Sequence, residues 1–558
     1  MKRKMVALLL TLATSVSLLG GCGTGGDTAS SGDAGDKEEP VEISILMYGI
    51  DAMSGVQKDS VTKAVEEEIG VTMNIISTSG MDILAEMNAM IASDDLPDIV
   101  CGVNDDQRSL LLKSEQVIPL DDLVEQYGGE ITNKEAGKTG LELSKEFYSD
   151  DSGQLYFIPF QTGEDRSAGF PTTAPYIRWD VYEKIGAPPV QDMDDLLNVL
   201  KQMQDAYPET EDGKKVYAIS GCLADSAWNT YSMTAAEAFI GFRKFGYGLV
   251  GVNTYNPSEL IYALETPESP TWRLFEFYNK AYQMGILDPD SLTMKWDQWT
   301  EKIAAGQVLY SPLDFSSTVV MNDPNKVFLP VPFENYENDS FTASYNYALG
   351  SFTYAITKRC EHPEKAMELL NFAWSYDGAS LFENGVQGET WDIIDGKPQM
   401  LEEYVQARID GTADQILFGA FYGPFMNEDT DEPINLTRTT AYYEKYVRTE
   451  AAKEYCEMYG VESPIENFTK VKNHVYEVVW DSIYKKDTDE LENIDNNIQL
   501  YFLTNIPKVV AAESDEEFAE MREQIMTDIN AMGAEELVAA LKETYDSQAP
   551  RVLEILGE

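Results

Sequence analysis

Histidine and cysteine are scarce in this sequence, which has two histidines and five cysteines among its 558 residues. No two cysteines form a Cys-x-x-Cys pair, so the ligand set of a structural zinc site is missing. We therefore expect no bound metal and no cofactor. The cysteines after position 22 are widely spaced, which favours buried thiols but leaves two disulfides open; they are Cys101, Cys222, Cys360 and Cys456.

The common catalytic motifs are also missing. There is no Gly-x-Ser-x-Gly, no P-loop and no Gly-x-Gly-x-x-Gly after a strand. Residues 427–432 resemble a calcium loop, but they lack its glycine and its spaced glutamate and indicate a solvated turn. With 96 acidic residues, a pair of carboxylates suited to glycoside hydrolysis arises by chance. We predict no catalytic residue and no enzymatic activity.

Positive charge is in short supply. The sequence has 41 lysines and arginines against 96 acidic residues, a net charge of −55. A field of that sign argues against nucleic acid and against an anionic lipid surface as partners. Solubility explains the excess of acid, and the charge does not indicate a cationic ligand.

Long apolar runs are confined to the first 19 residues. A basic start followed by apolar Met5–Leu19 is typical of a secretory signal and is too short for a membrane span. Leu-Gly-Gly-Cys at 19–22 resembles the bacterial lipobox, which implies cleavage after residue 21 and a lipid on Cys22. The alternative is an ordinary secreted protein. Residues 23–40 contain no aliphatic side chain larger than alanine, so we predict a flexible tether at 22–40.

The body of the protein begins with alternating strand and helix patterns. Strands are predicted at 41–48, 71–76 and 99–100, with helices at 58–68 and 82–92 between them. This βαβαβ order is typical of an open, mostly parallel sheet, in which ligands bind beyond the carboxyl ends of the strands.

Later segments predict a second α/β unit and a helical C-terminal third. Residues 154–160 and 215–220 have strand patterns, and the helices are predicted at 190–203, 271–284, 451–459, 474–483, 515–532 and 534–544. A body of this length exceeds the usual size of one domain.

Short motifs in a fixed order resemble family 1 extracellular solute-binding proteins of ABC importers. The matching stretches are 93–100, 117–123, 155–159, 177–186, 284–289, 305–308, 356–367, 385–391 and 395–398. The last three are most similar to the long lipoprotein branch of the family, which is common in Gram-positive bacteria and is linked to oligosaccharide import. The resemblance covers most of residues 41–550, with a longer insert than usual at 162–171.

The resemblance implies an α/β fold of two lobes, of the type II periplasmic-binding-protein-like kind, joined by crossover hinge strands with a ligand cleft between the lobes. Mapped by order, residues 41–158 and 306–398 would form lobe 1, and residues 159–305 and 399–558 lobe 2. It also implies a monomer, lipid-anchored on the outer face of the cell membrane and held there by the anchor only. Its partners would be an oligosaccharide ligand and the transmembrane subunits of an ABC permease.

A sugar-binding cleft needs aromatic rings that stack on C–H faces, and polar groups that bind hydroxyls. Strand ends and polar loops of this chain supply both kinds. The candidate ligand-binding residues are Tyr48, Asn104, Arg178, Trp179, Asp180, Trp228, Asn229, Asp314, Glu389 and Trp391.

Several aromatic positions have a structural alternative. Trp179 fits equally a core position in the following helix, and Trp272, Trp374 and Trp480 have the spacing of core residues. The aromatic loop 418–425 either lines the cleft or packs as a plug. For the function itself, the alternatives are a receptor for peptides or modified glycans, and a surface glycosidase.

Overall fold

A computed structural model describes eighteen stretches of the chain. They are residues 39–48, 54–78, 83–102, 105–150, 152–160, 162–164, 168–171, 173–223, 241–245, 247–253, 256–314, 326–334, 339–340, 345–346, 353–413, 421, 423–470 and 488–557. Everything below concerns these residues.

The first sheet has six strands in the order β2-β3-β1-β4-β16-β5. They are β1 (Val41–Tyr48), β2 (Gly55–Val56), β3 (Val71–Thr78), β4 (Ile99–Gly102), β5 (Ile158–Pro159) and β16 (Thr353–Ile356). β1 pairs in parallel with β3 and β4, which confirms the parallel βαβαβ unit. β16 enters antiparallel between β4 and β5.

Eight helices pack on this sheet, and together they make up the first lobe. They are α1 (Ser60–Ile69), α2 (Ile83–Ser93), α3 (Asp105–Lys113), α4 (Asp121–Tyr127), α5 (Gly129–Thr132), α6 (Glu135–Phe147), α11 (Pro363–Trp374) and α12 (Tyr376–Asn384). α1 shows how the sequence sets a boundary, because the Asp59 carboxylate accepts from the Val61 N–H and Gly70 ends the helix at φ 66°.

The second sheet has four strands in the order β13-β7-β12-β8. They are β7 (Thr173–Arg178), β8 (Tyr217–Ile219), β12 (Val308–Leu313) and β13 (Phe328–Pro330). β8 and β12 are parallel, whereas β7 runs antiparallel to β12 and β13. Beside it lies an antiparallel sheet of β9 (Phe242–Phe245), β10 (Val250–Asn253) and β11 (Asn256–Tyr262).

The second lobe is completed by helices from the middle and the end of the chain. They are α7 (Trp179–Lys184), α8 (Met193–Ala206), α9 (Pro270–Gln283), α10 (Trp296–Ala304), α15 (Glu450–Tyr459), α16 (Asp489–Val510), α17 (Asp515–Ala531) and α18 (Ala534–Leu556). Buried residues of α16, α17 and α18 belong to the same core cluster as those of α8 and α9. The sequence patterns predicted α17 and the start of α18, but the predicted end of α18 is twelve residues too early. They did not predict α16.

Short elements fill the connections. The strands are β6 (Gly163–Glu164), β14 (Asp339–Ser340), β15 (Tyr345–Asn346), β17 (Trp391–Ile394), β18 (Lys397–Met400), β19 (Met426–Asn427), β20 (Glu432–Pro433) and β21 (Thr469–Lys470). The helices are α13 (Glu402–Ile409) and α14 (Thr440–Tyr442), with 3₁₀ turns at 289–292, 436–438 and 464–467 and a π turn at 443–447.

The strand pairing moves the expected lobe boundary. Mapping by order assigned 306–398 to the first lobe, but β12 and β13 pair in the second sheet. The chain therefore returns to the first sheet only at β16. Hydrogen bonding between strands that are distant in the sequence determines which lobe β12 and β13 join. No local sequence pattern indicates this pairing.

Three further sequence expectations meet the structure here. Cys101, Cys222, Cys360 and Cys456 form no disulfide. Phe421 is fully buried in the first-lobe core, with its ring 4.9 Å from Tyr354, so this part of the 418–425 loop packs as a plug. Within the described stretches, no helix combines the length and the apolar character needed to cross a bilayer.

Candidate functional site

Two connections run from a strand of one sheet to a strand of the other and identify the edges that face each other. The chain leaves the first sheet at Pro159 and enters the second at Thr173, and it later leaves the second at Pro330 and re-enters the first at Thr353. Pro159 and Thr353 lie beside Gly102 at the carboxyl end of β4, and Thr173 pairs with Leu313 at the carboxyl end of β12. The carboxyl ends of the parallel strands in both sheets therefore border the space between the lobes.

Two of the predicted residues stand, in the sequence, at or just after the end of a strand of the first sheet. Tyr48 is the last residue of β1 and pairs with Thr78, the last residue of β3. The backbone of Tyr48 is thus at the facing edge, as the prediction requires, while its side chain lies outside the described part of the chain. Asn104 follows β4 by two residues and also lies outside the described residues.

Asp314 stands on the second-lobe border, directly after β12. It is half-buried, and its charge acts on the phenol of Tyr176 from β7. Burial raises the pKa of Tyr176 far above its ordinary value, and the nearby Asp314 carboxylate raises it further. The Tyr176 hydroxyl donates to the Pro171 carbonyl oxygen. Asp314 thus offers a carboxylate beside a neutral, anchored phenol.

Trp228 and Asn229 lie outside the described residues. The last described residues before them, 221–223, follow β8. The Leu223 N–H donates to the Ser291 carbonyl oxygen and the Gly221 N–H donates to the Ser291 hydroxyl, in the 3₁₀ turn at 289–292. Their role stays a prediction.

Arg178, Trp179 and Asp180 lie at the opposite end of the second sheet, which corrects their expected placement. β7 is antiparallel to β12, so its last residue is far from the edge that faces the first lobe. Gly306, two residues before β12, adjoins the Arg178 guanidinium: a Cβ at Gly306 would be 3.5 Å from Nη1. A strand end marks a cleft only when the strand runs toward it.

The same three residues are occupied by structural contacts. Arg178 is 1% exposed and donates from Nε and Nη2 to both Asp180 carboxylate oxygens, at 2.8 and 2.9 Å. Trp179 has no exposed surface, and its ring centroid is 5.4 Å from those of Tyr182 and Tyr455. This is the core position that the sequence left open as the alternative for Trp179.

Trp391 begins the hairpin of β17 and β18 and is half-buried. Its indole N–H donates to the Gly385 carbonyl oxygen at 2.9 Å, and its ring packs on a small cluster that includes Met400 and Leu436. Glu389 lies in the preceding turn with its side chain exposed. Because part of the Trp391 ring reaches solvent, it differs from Trp272 and Trp374, which are buried in the core as predicted.

The sequence analysis did not single out Trp296, the first residue of α10. α10 precedes β12 and ends beside Arg178, so its first residue lies toward the facing edge, near Leu313 and Asp314. Trp296 is half-buried and meets the buried Trp299 edge-to-face, with ring centroids 5.2 Å apart. A helix that leads into a parallel strand begins at the strand's carboxyl edge, and this rule applied to 296–308 would have identified it.

A row of aromatic contacts runs from α10 toward the hairpin. Trp299 and Phe170 share one cluster, and Phe170 packs edge-to-face on Tyr443 at 5.9 Å. The neighbouring Tyr442 packs on Tyr446, and both adjoin Trp391 in the cluster of the hairpin. Phe170 belongs to the connection between the lobes, so the row leads from the second lobe to the hairpin, which hydrogen bonds to Asn384 and Gly385 attach to α12 of the first lobe.

The second-lobe border thus combines the partly exposed indole ring of Trp296 with the Asp314 carboxylate, and the hairpin attached to the first lobe adds the partly exposed ring of Trp391. Within the described ranges, no group of three or more His, Cys, Asp or Glu side chains is placed to hold a metal ion. The arrangement suits the binding of a neutral, hydroxyl-rich molecule, because indole faces receive C–H groups and the carboxylate accepts from hydroxyls.

Comparison with known proteins agrees with this architecture. A family model described as bacterial extracellular solute-binding protein matches residues 60–382, more than half of the chain. No curated protein matches the sequence.

Solved structures share the fold at low identity. An HMO-binding ABC-transporter-associated solute-binding protein of Bifidobacterium longum infantis is 16% identical, with a TM-score of 0.66 over 91% of this chain and 99% of that one. The Streptococcus pneumoniae substrate-binding protein FusA, in complex with kestose, is 14% identical, with a TM-score of 0.62 over 91% and 100%. The N-glycan transport protein NgtS of the same species is 16% identical, with a TM-score of 0.57 over 91% and 98%. These matches confirm the two-lobed α/β fold.

Proposed function

Because this chain belongs to the family of bacterial extracellular solute-binding proteins, we propose that it is the receptor of an ABC importer for an oligosaccharide. It captures the sugar between its lobes and delivers it to the transmembrane subunits of a permease, without chemical change. It works as a monomer, since one chain contains both lobes.

The observation that carries the proposal is a set of three side chains, Trp296 and Asp314 at the border of the second lobe and Trp391 in the hairpin attached to α12 of the first. Two half-exposed indole rings and a carboxylate are the groups that a pyranose or furanose ring needs. Three structural neighbours that bind HMO, kestose and N-glycans, according to their descriptions, support a carbohydrate over a peptide.

Glu389 and Tyr48 extend the proposed site at its two ends. Glu389 is exposed two residues before Trp391, and Tyr48 ends β1 at the edge of the first lobe. With Asn104, Trp228 and Asn229, they are the polar and aromatic positions that we expect a multi-unit glycan to reach.

Closure of the lobes on the ligand is part of the proposal. A ligand shifts such an equilibrium only by its differential affinity for the closed state, which contacts on both lobes provide. Small-angle scattering should give a smaller radius of gyration at saturating ligand, and an unchanged profile would contradict a clamping receptor.

We propose further that a diacylglyceryl group on Cys22 tethers the protein to the outer face of the cell membrane. The support is the Leu-Gly-Gly-Cys step after an apolar signal and the flexible segment that follows it. Cys22→Ala should release the protein into the medium or leave it unprocessed. A variant that is processed and fractionates with membranes like the wild type would refute the anchor.

The decisive experiment is a glycan array, followed by calorimetric titration of the best ligands. Binding of defined oligosaccharides that are recovered intact supports the receptor. Binding only to members of a peptide library would favour the peptide alternative. Release of shortened sugars during incubation would overturn the proposal in favour of a glycosidase.

A further inference from the structure

The C-terminal helix α18 extends from the second lobe to the first. Its 23 residues span about 34 Å, the length of a small domain. In its first half, Tyr545 packs on Phe245 of β9 with ring centroids 6.0 Å apart. Lys542 lies 4.0 Å from Glu259 of β11. This half is fixed to the second lobe.

The second half of α18 contacts α6 of the first lobe. Arg551 places Nε 3.1 Å from Oε1 of Glu146 and Nη2 3.4 Å from its Oε2. Ala549 and Val552, on either side of Arg551, are buried in the core cluster that also contains Leu143 of α6. Close packing of α18 on α6 and a two-point ion pair therefore join the helix to the first lobe.

The ion pair lies just beyond the part of α6 that contacts the crossing strand, where the Ser144 hydroxyl donates to the Phe157 carbonyl oxygen. Glu146 follows Lys145, which pairs with Asp121, and Asp121 accepts from the Leu155 N–H at 2.9 Å. Within α6, Glu146 lies six residues, about 9 Å along the helix axis, beyond Gly140, where an added Cβ would be 2.8 Å from Pro159 at the point where the chain leaves the first sheet. Rotation of the lobes about the crossing moves a contact at that distance by several ångströms.

Pro550 lies between the second-lobe contacts of Lys542 and Tyr545 and the ion pair of Arg551. Proline has no N–H, so the carbonyl four residues earlier, that of Asp546, loses its helical partner there. Helices bend most readily at such points. α18 can therefore change its angle between the part held by β9 and β11 and the part held by α6.

We propose that α18 is a strap across the lobes and that Arg551–Glu146 is its latch, which biases the angle between the lobes before any ligand binds. The proposal rests on the clamping motion included in the proposed function. Opening the latch frees the first lobe to sample other angles, and ligand affinity then changes because the population of the binding-competent angle changes.

The expected effect is modest. Both side chains are about two-fifths exposed, at 38% and 40%, and exposed ion pairs are weak. Loss of the latch should change the ratio of open to closed molecules about two- to fivefold. Salt should mimic it, because the screening length falls from about 14 Å at 0.05 M to about 3 Å at 1 M.

The test measures the distance between the lobes in ligand-free protein. Spin labels on encoded keto amino acids at the exposed positions 67 of α1 and 202 of α8 report it by pulsed electron resonance. Glu146→Gln and Arg551→Gln should each shift or broaden the distribution, and 1 M salt should do so in the wild type only. The exchange Glu146→Arg with Arg551→Glu should restore the original distribution.

Glu554→Gln is the matched control. Glu554 binds the same arginine at 2.7 Å, but within α18. Its removal should leave the distribution unchanged. Wild-type distributions in both latch variants, or an equal shift in the control, would overturn the strap. The distance measurement needs no sugar. A failure to bind glycans would therefore contradict the proposed function without affecting the test of the strap.

Discussion

The end of β7 and the start of α10 carry similar residues and lie at opposite ends of the second sheet. Arg178, Trp179 and Asp180 have the composition of a sugar site, yet they are closed off by their own contacts. Trp296 stands in an ordinary amphipathic helix, yet its ring is half-exposed at the edge that faces the first lobe. The direction of the chain, which composition does not record, separates a core tryptophan from a rim tryptophan.

The largest effect should come from Trp179→Ala. The ring is fully buried between Tyr182 and Tyr455, and large-to-small changes of this kind cost about 3–5 kcal/mol of the free energy of unfolding. Thermal and urea melts of the ligand-free protein measure the cost. Affinity per folded molecule should be normal, and a stable variant with lost affinity would reverse the comparison.

The second-largest effect should come from Asp180→Asn, which should lower the free energy of unfolding by about 2 kcal/mol. The amide keeps one acceptor for Arg178 but removes the charge that pairs with a buried guanidinium. Urea unfolding measures this loss of stability. Asp194→Asn, at an exposed position of α8, is the control. A cost equal to that of the control would mean that the pair is not a structural element.

Trp296→Ala should weaken ligand binding by about 1–2 kcal/mol, roughly a fivefold to thirtyfold higher Kd. The half-exposed ring contributes less to folding than Trp179, so the melting temperature should fall much less. Trp296→Phe keeps an aromatic face and should restore most of the affinity. Calorimetric titration distinguishes these outcomes, and unchanged affinity in the alanine variant would remove Trp296 from the site.

The smallest effect should be a change in the pH dependence of stability from Asp121→Asn. Burial alone would raise the pKa of Asp121, but hydrogen bonds from Lys145 and the Leu155 N–H outweigh it and hold the pKa below its ordinary value. This contribution to stability is complete above the unfolded pKa of about 3.9 and is lost as the pH falls through the folded pKa.

Urea midpoints between pH 6 and pH 3 test this expectation. The asparagine variant should lose less stability than the wild type on acidification, while its ligand affinity at pH 7 stays unchanged, since Asp121 is remote from the facing edges. If the urea midpoints of the two proteins fall equally as the pH is lowered, Asp121 keeps its ordinary pKa in the folded state.

Local patterns predicted much of the fold. The strands β1, β3 and β4 and the helices α1, α2, α8 and α17 lie within a few residues of their predicted bounds. α16 escaped notice because its first half is rich in Asn and Asp, which favour turns and caps, and Pro507 lies near its end.

The other features of the fold depend on contacts between segments that are distant in the sequence, and local patterns did not predict them. Residues 154–160 read as one strand, but only Ile158–Pro159 joins the sheet. The Leu155 carbonyl accepts from the Leu120 N–H, and the Phe157 carbonyl accepts from the Ser144 hydroxyl. The candidate site shows the same limit. Asp314 was predicted because a strand end can be recognised in the sequence, whereas Trp296 was identified only from the orientation of α10 in the structure.

The place of β16 in the first sheet has a consequence for biogenesis. This strand fills the gap between β4 and β5 but emerges from the ribosome roughly 200 residues after β5. Until then β4 presents an unpaired edge, and the first lobe cannot complete its sheet. Native pairing between such distant segments is slow, so the newly made chain should be held open by chaperones longer than its stable final fold would suggest.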